Sequence, residues 1–172
     1  MPRRTRPTPD PPEAPVGEGR ESVWDYPRPP RLERSSSAIR VVLGGVTIID
    51  TDRSWKVSET ASPPTYYLDP EEFIPGVVHP VPGESWCEWK GRAAYADLVA
   101  GDRTARQAAW YYPRPNHRYA ALAGHLAVYP SRVDACFLDG EEVRPQDGDF
   151  YGGWITSRVV GPFKGEAGTL SW

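Results

Sequence analysis

Two glycines set between β-branched runs constrain this chain more than any other feature of it. Ile39–Leu43 reads IRVVL and Val46–Asp50 reads VTIID. The intervening Gly44-Gly45 has the length and chemistry of a two-residue hairpin turn, which needs positive φ at both central positions. Residue 43 then faces residue 46, so Ile39, Val41, Leu43, Val46 and Ile48 share one face, expected to be the core face. Arg40, Val42, Thr47 and Ile49 take the other. Asp139-Gly140, between 133–138 and 141–144, is a second hairpin signal.

Between the two turns the β pattern continues. Ser54–Glu59 alternates, with Trp55, Val57 and Glu59 on one side. Short strands over 86–90, 92–100 and 104–110, the last two joined at Gly101-Asp102, read as an antiparallel meander. Alternation through 86–90 puts Trp86, Glu88 and Lys90 on one face and Cys87 and Trp89 on the other, so Lys90 and Cys87 are expected to act apart. Residues 68–83, with prolines and acidic residues, read as a long irregular loop. One α-helix is expected near 116–127, with Asn116 as N-cap, Leu122 and Leu126 at i, i+4 spacing, and Pro130 as the stop.

Prolines set the ends. Residues 1–20 carry Pro2, Pro7, Pro9, Pro11, Pro12 and Pro15 without an aromatic residue, a composition that cannot offset the entropy of folding. They read as a disordered tail. Residues 21–37 read as an extended arm laid on the body and pinned by Trp24 and Tyr26. A β domain follows over 38–144, then an irregular C-terminal extension over 145–172. The expected fold is mainly β: a single compact antiparallel domain, β-tent-like or a barrel or sandwich, with irregular N- and C-terminal segments.

A formal net charge of −3 supplies no global field toward nucleic acid or acidic membranes. Arg28, Arg31, Arg34 and Arg40 beside Trp24 and Tyr26 come closest to a nucleic-acid surface, but nucleic acid is not an expected partner. No apolar run reaches about 18 residues and no basic-then-apolar leader is visible. No membrane association and a cytoplasmic location are therefore expected.

Cys87 and Cys136 stand far apart, with histidines at 79, 117 and 125. No structural zinc is expected, since paired Cys-x-x-Cys ligands are missing. The thiols read as free and buried, as a disulfide, or with Cys87 reactive. Cysteine hydrolysis at Cys87 would need one of the three histidines as base. Asp50-Thr51-Asp52 has the spacing to hold magnesium but neither a phosphate loop nor a third carboxylate, so magnesium is not expected. The sharpest constellation is Glu59, Thr60, Tyr66, Tyr67, Trp89, Lys90 and Trp110, where a carboxylate, an ammonium and phenols could orient a polar ligand. Glu59, Lys90 and Tyr66 are its catalytic candidates.

Four motifs carry a family likeness: E-T-x-x-P-P-T-Y-Y at 59–67, C-x-W-K-G at 87–91, A-A-W-x-Y-P at 108–113 and A-x-Y-P-x-R-V-D-A at 127–135. The chain resembles the domain of unknown function 427 family over about residues 38–144, and its flanks look like those of long, actinobacterial-type members. The resemblance implies a compact β structure and carries a nucleotidyltransferase-type label. Many members have His where Ser62 and Trp86 stand here, and Pro at Glu88. These observations support an aromatic-lined pocket for a polar small molecule, with or without a reaction. The alternatives are an interaction or assembly module using the 21–34 arm or the 150–164 segment, including self-association, and nucleotidyl transfer.

Overall fold

The computed structural model describes residues 19–148, 151–165 and 169. Apart from Gly19 and Arg20, the tail expected over 1–20 lies outside these residues. The described chain forms strands β1 (Glu21–Ser22), β2 (Arg31–Ser35), β3 (Ile39–Leu43), β4 (Val46–Thr51), β5 (Ser54–Ser58), β6 (Thr65–Tyr67), β7 (Val78–Cys87) and β8 (Gly91–Ala100). Then come β9 (Arg103–Tyr111), β10 (Ala127–Val128), β11 (Ala135–Leu138), β12 (Glu141–Glu142), β13 (Arg144–Pro145), β14 (Trp154–Ile155) and β15 (Val159–Val160). Two four-stranded antiparallel sheets, ordered β10-β9-β8-β7 and β12-β11-β3-β4, are accompanied by a three-stranded sheet, β2-β5-β6. The fold is mostly β, and no sheet closes into a barrel. Among the described residues no helix is long and apolar enough to cross a membrane.

The Gly44-Gly45 hairpin forms with φ of 58° and 74°, and Leu43 faces Val46 as the turn demands. Beyond it the register differs from strict alternation. A bulge sets Val42 opposite Thr47 but Val41 opposite Ile49. The extra residue, Ile48, lets both Ile48 and Ile49 bury, whereas simple alternation sends Ile49 outward. The turn also locks the two larger sheets together: a Cβ on Gly44 would lie 2.3 Å from the carbonyl oxygen of Ala100, and one on Gly101 2.7 Å from that of Gly44. The main core lies between these sheets. It includes Ile39, Val41, Leu43, Ile48 and Ile49 on one side and Ala96, Leu98, Ala100, Ala105 and Ala108 on the other.

Two expectations are corrected. Val78–Cys87, more than half of it assigned to the long loop, is a ten-residue strand. Its Pro80 and Pro82 are tolerated because β7 is the edge of its sheet and is bulged between Val81 and Glu84. The expected α-helix is a six-residue 3-10 segment, His117–Leu122. Gly124 at φ 72° and the short β10 end it, and Asn116 makes no side-chain cap there. The flanks, otherwise irregular, are tied down by short pairings. β1 pairs in parallel with β15, β13 pairs with β14, and the fully buried Trp154 donates its indole N–H to the Val128 carbonyl at 3.1 Å.

Gly44→Ala is expected to lose at least about 2 kcal/mol in urea denaturation, from positive φ plus collision with a backbone carbonyl. Gly45 meets nothing within 4 Å, so Gly45→Ala should lose only the left-handed backbone cost, about 1 kcal/mol. Equal losses would show that the turn does not clamp the sheets.

Candidate functional site

Where β5 and β6 come down on β7–β9, the packing leaves a cavity of about 180 Å³. Strand alternation chooses its walls. On β8, Ala93 and Tyr95 face the cavity while Ala96, Leu98 and Ala100 face the main core. On β6, Thr65 and Tyr67 face it, and on β7 Ser85 and Cys87 do. Trp110 and Tyr112 arrive from the end of β9, and Tyr129 follows β10. Four rings run in sequence: Tyr112 to Tyr67 at 6.2 Å, Tyr67 to Trp110 at 6.3 Å, and Trp110 to Tyr129 at 4.4 Å between centroids. Tyr95 donates its hydroxyl to Ser85 at 2.9 Å, and Trp86, 69% exposed, stands at the rim.

The roof comes from outside the β domain. Arg28 of the arm lines the cavity and donates to the Thr60 carbonyl at 3.2 Å, while the Thr60 hydroxyl donates to the Tyr26 carbonyl. The C-terminal chain crosses at Gly152-Gly153, where side chains could not fit. A Cβ on Gly152 would sit 2.4 Å from the Trp110 ring, and one on Gly153 2.5 Å from Pro63. The Gln146 side chain fixes the crossing by accepting from the Gly153 amide at 3.0 Å and donating to the Lys164 carbonyl.

Lys90 supplies the charge. Residues 88–90 are a turn between β7 and β8, held by Asn116, whose side chain donates to the Trp89 carbonyl at 2.7 Å and whose amide donates to that of Lys90 at 2.9 Å. Strand alternation therefore does not extend to Lys90. The turn brings its Nζ back to Cys87, donating to Sγ at 3.6 Å, and the expected separation of Lys90 from Cys87 is overturned. Lys90 is 6% exposed, and its ammonium lies within 6 Å of the Tyr112 and Tyr119 rings. Burial works against its charge, but Tyr67, Cys87 and Glu59 outweigh that and hold its pKa above the ordinary lysine value. Glu59 is occupied elsewhere: it accepts from Trp89 Nε1 at 3.1 Å and lies 3.9 Å from Arg28 Nε.

Five of the seven expected residues, Glu59, Thr60, Tyr67, Lys90 and Trp110, line this one cavity. Trp89 does not line it and instead holds Glu59. Tyr66 points the other way, into the main core, 5.4 Å from the Trp154 ring. Adjacent strand residues face opposite sides, and that signal was available in the sequence. Cys87, Ser85, Tyr95, Tyr112, Tyr129 and the Gly152-Gly153 roof were not expected together. Cys136 is buried in the core, and both cysteines are free. Asp50 and Asp52 are exposed at the end of β4, outside the cavity, and Thr51 donates to Glu72. Among the described residues no histidine lines the cavity, and no three His, Cys, Asp or Glu side chains gather as a metal site.

The family model described as domain of unknown function (DUF427) matches residues 31–139, a span holding the cavity walls but not Arg28 or the Gln146–Lys164 roof. Comparison with curated proteins gives no match.

Burial raises the pKa of Tyr26, Tyr66, Tyr67, Tyr112 and Tyr129, that of Tyr129 to about 12. An unfolded tyrosine titrates near about 10. These groups therefore contribute stability that is complete below about pH 10 and is lost as pH rises toward their folded values. Urea midpoints are expected to hold from pH 7 to 9 and fall steeply above 10, each such tyrosine removing up to about 1.4 kcal/mol per pH unit. A flat profile to pH 11.5 would contradict the burial. Lys90→Met, close in volume and without a buried charge, is expected to cost less than about 1.5 kcal/mol by the same measurement.

Proposed function

We propose, on the premise that the chain belongs to the family described as domain of unknown function (DUF427), that it binds a small polar molecule in the cavity of Tyr67, Lys90, Trp110 and Tyr112. One observation carries the proposal: a buried ammonium lines the cavity with a thiol sulfur as its hydrogen-bond acceptor. Among the described residues no carboxylate lies within ion-pair distance of that ammonium, so a buried positive charge stands there without a countercharge in direct contact. A ligand would supply one. Apolar walls with a few convergent polar groups are the usual composition of such sites.

The cavity's size supports a small occupant. At about 180 Å³ it has the volume of about six waters at ~30 Å³ each, which is small for a nucleoside triphosphate. Metal-assisted nucleotidyl transfer needs carboxylates that hold the cation beside the phosphates, and among the described residues Glu59 is the one carboxylate in the lining. The assembly reading draws on the arm, but its aromatic anchors are engaged within this chain. Tyr26 is buried and donates to Glu21 at 2.7 Å, and Trp24 donates to the Pro162 carbonyl at 2.8 Å.

The test is a thermal-shift screen of the full chain against small acids, amides, amino acids and sugar phosphates, repeated on Ala93→Leu. Ala93 is buried in the cavity wall, so leucine fills the space. A ligand at 100 times its dissociation constant stabilises by about 2.7 kcal/mol, and that gain should vanish in the filled variant. Identical shifts in both proteins would place the ligand elsewhere and remove this reading.

A further inference from the structure

Among the described residues the charges around the cavity do not balance, and the imbalance bears on the class of ligand. Arg28, Lys90 and Lys164 line it against Glu59, in a chain whose formal net charge is −3. Arg28 lies against Glu59 and donates to the Thr60 carbonyl. Lys164 is only partly buried, with its ammonium 5.3 Å from the Tyr151 ring. Lys90 remains. It has three N–H donors, one directed at Cys87 Sγ, and its other close neighbours are the faces of Tyr112 and Tyr119. Among the described residues it makes no ion pair with a carboxylate.

We infer that the cavity selects a small organic monoanion, a carboxylate on a flat apolar body, with its oxygens on Lys90 and its body along the wall of Tyr112, Tyr67 and Trp110. This rests on the cavity reading above and narrows it. A neutral ligand brings that ammonium no direct countercharge, whereas a carboxylate offers two acceptor oxygens to the two remaining donors. A phosphate dianion would need a second deeply buried cation, and Lys90 is the buried lysine or arginine of the set. The row of rings starts beside the ammonium, 5.7 Å from the Tyr112 centroid, and continues through Tyr67 to Trp110. A flat body therefore meets aromatic faces once its charged end is docked.

Cys87 makes the inference measurable, because its Sγ lies 3.6 Å from the same ammonium. A carboxylate-bearing alkylating agent docked on Lys90 is delivered to the thiol. With iodoacetate, sulfur forms a bond to the methylene carbon, iodide leaves, and the thiol proton passes to solvent. Iodoacetamide undergoes the same displacement without the charge. The experiment measures both alkylation rates at Cys87 on the full chain by mass spectrometry, each normalised to 2-mercaptoethanol. Cys136, 1% exposed, serves as the silent control.

The expected result is a normalised preference for iodoacetate of about tenfold or more. Benzoate should slow the reaction and benzamide should not, and the preference should disappear in Lys90→Met. If Cys87 reacts equally with both reagents, or benzoate and benzamide protect alike, the monoanion inference falls while the cavity reading stands. If Cys87 reacts with neither, the cavity is closed to small molecules and both readings fall. The ratio and the protection are read on the unmodified protein, so the outcome does not depend on the variant folding.

Discussion

Strand β8 has to serve two interiors, and the rest of the molecule is arranged around that requirement. Ala96, Leu98 and Ala100 face the core shared with β3 and β4, while Ala93 and Tyr95 face the cavity beneath β5 and β6. A strand that lines an interior on each face cannot rely on the hydrophobic-in, polar-out pattern of an ordinary antiparallel sheet. Alanines on the core face let the two four-stranded sheets approach closely, and the facing turns at Gly44 and Gly101 set how closely. On the cavity side the cross-strand pairing of Tyr95 with Trp110 begins the aromatic wall. The cavity thus belongs to the same sheet that forms the core.

Much of the architecture could be read from the chain. Gly44-Gly45 and Asp139-Gly140 announce their turns because positive φ is costly for other residues, and β8 and β9 follow from their alternation and from Gly101-Asp102. The misreadings share a physical origin. Tertiary packing overrode local preference at Ile48, where a bulge buries two consecutive isoleucines. It did so again at Arg118–Ala127, where alanine content favours an α-helix but Gly124 and the pairing of β10 with β9 do not allow one to continue. Proline at 80 and 82 hid an edge strand.

The candidate site was legible in composition and not in geometry. Glu59, Tyr67, Lys90 and Trp110 are chemically distinctive, and the motifs that contain them meet in space. Which residue of Tyr66-Tyr67 faces inward depends on a three-residue strand. The approach of Lys90 to Cys87 depends on where β7 stops, and no local signal marks the stop at Cys87 rather than at Lys90. The roof was hidden more deeply, since Gly152-Gly153 acquires meaning only from the Trp110 ring it must pass.

The parallel pairing of β1 with β15 implies an order of assembly. Glu21 lies opposite Val159 and Ser22 opposite Val160, so β1 waits for a strand made long after it. Local hairpins such as β3–β4 and β8–β9 close short loops and can form as soon as they are made. Contacts between distant segments incur the larger loop-closure entropy and come late. Until the Gly152-Gly153 crossing has been made, the aromatic wall lacks that part of its roof. During that interval the exposed rings of Tyr67, Trp110 and Tyr129 form an adhesive surface, and the nascent chain is vulnerable there to association with other chains.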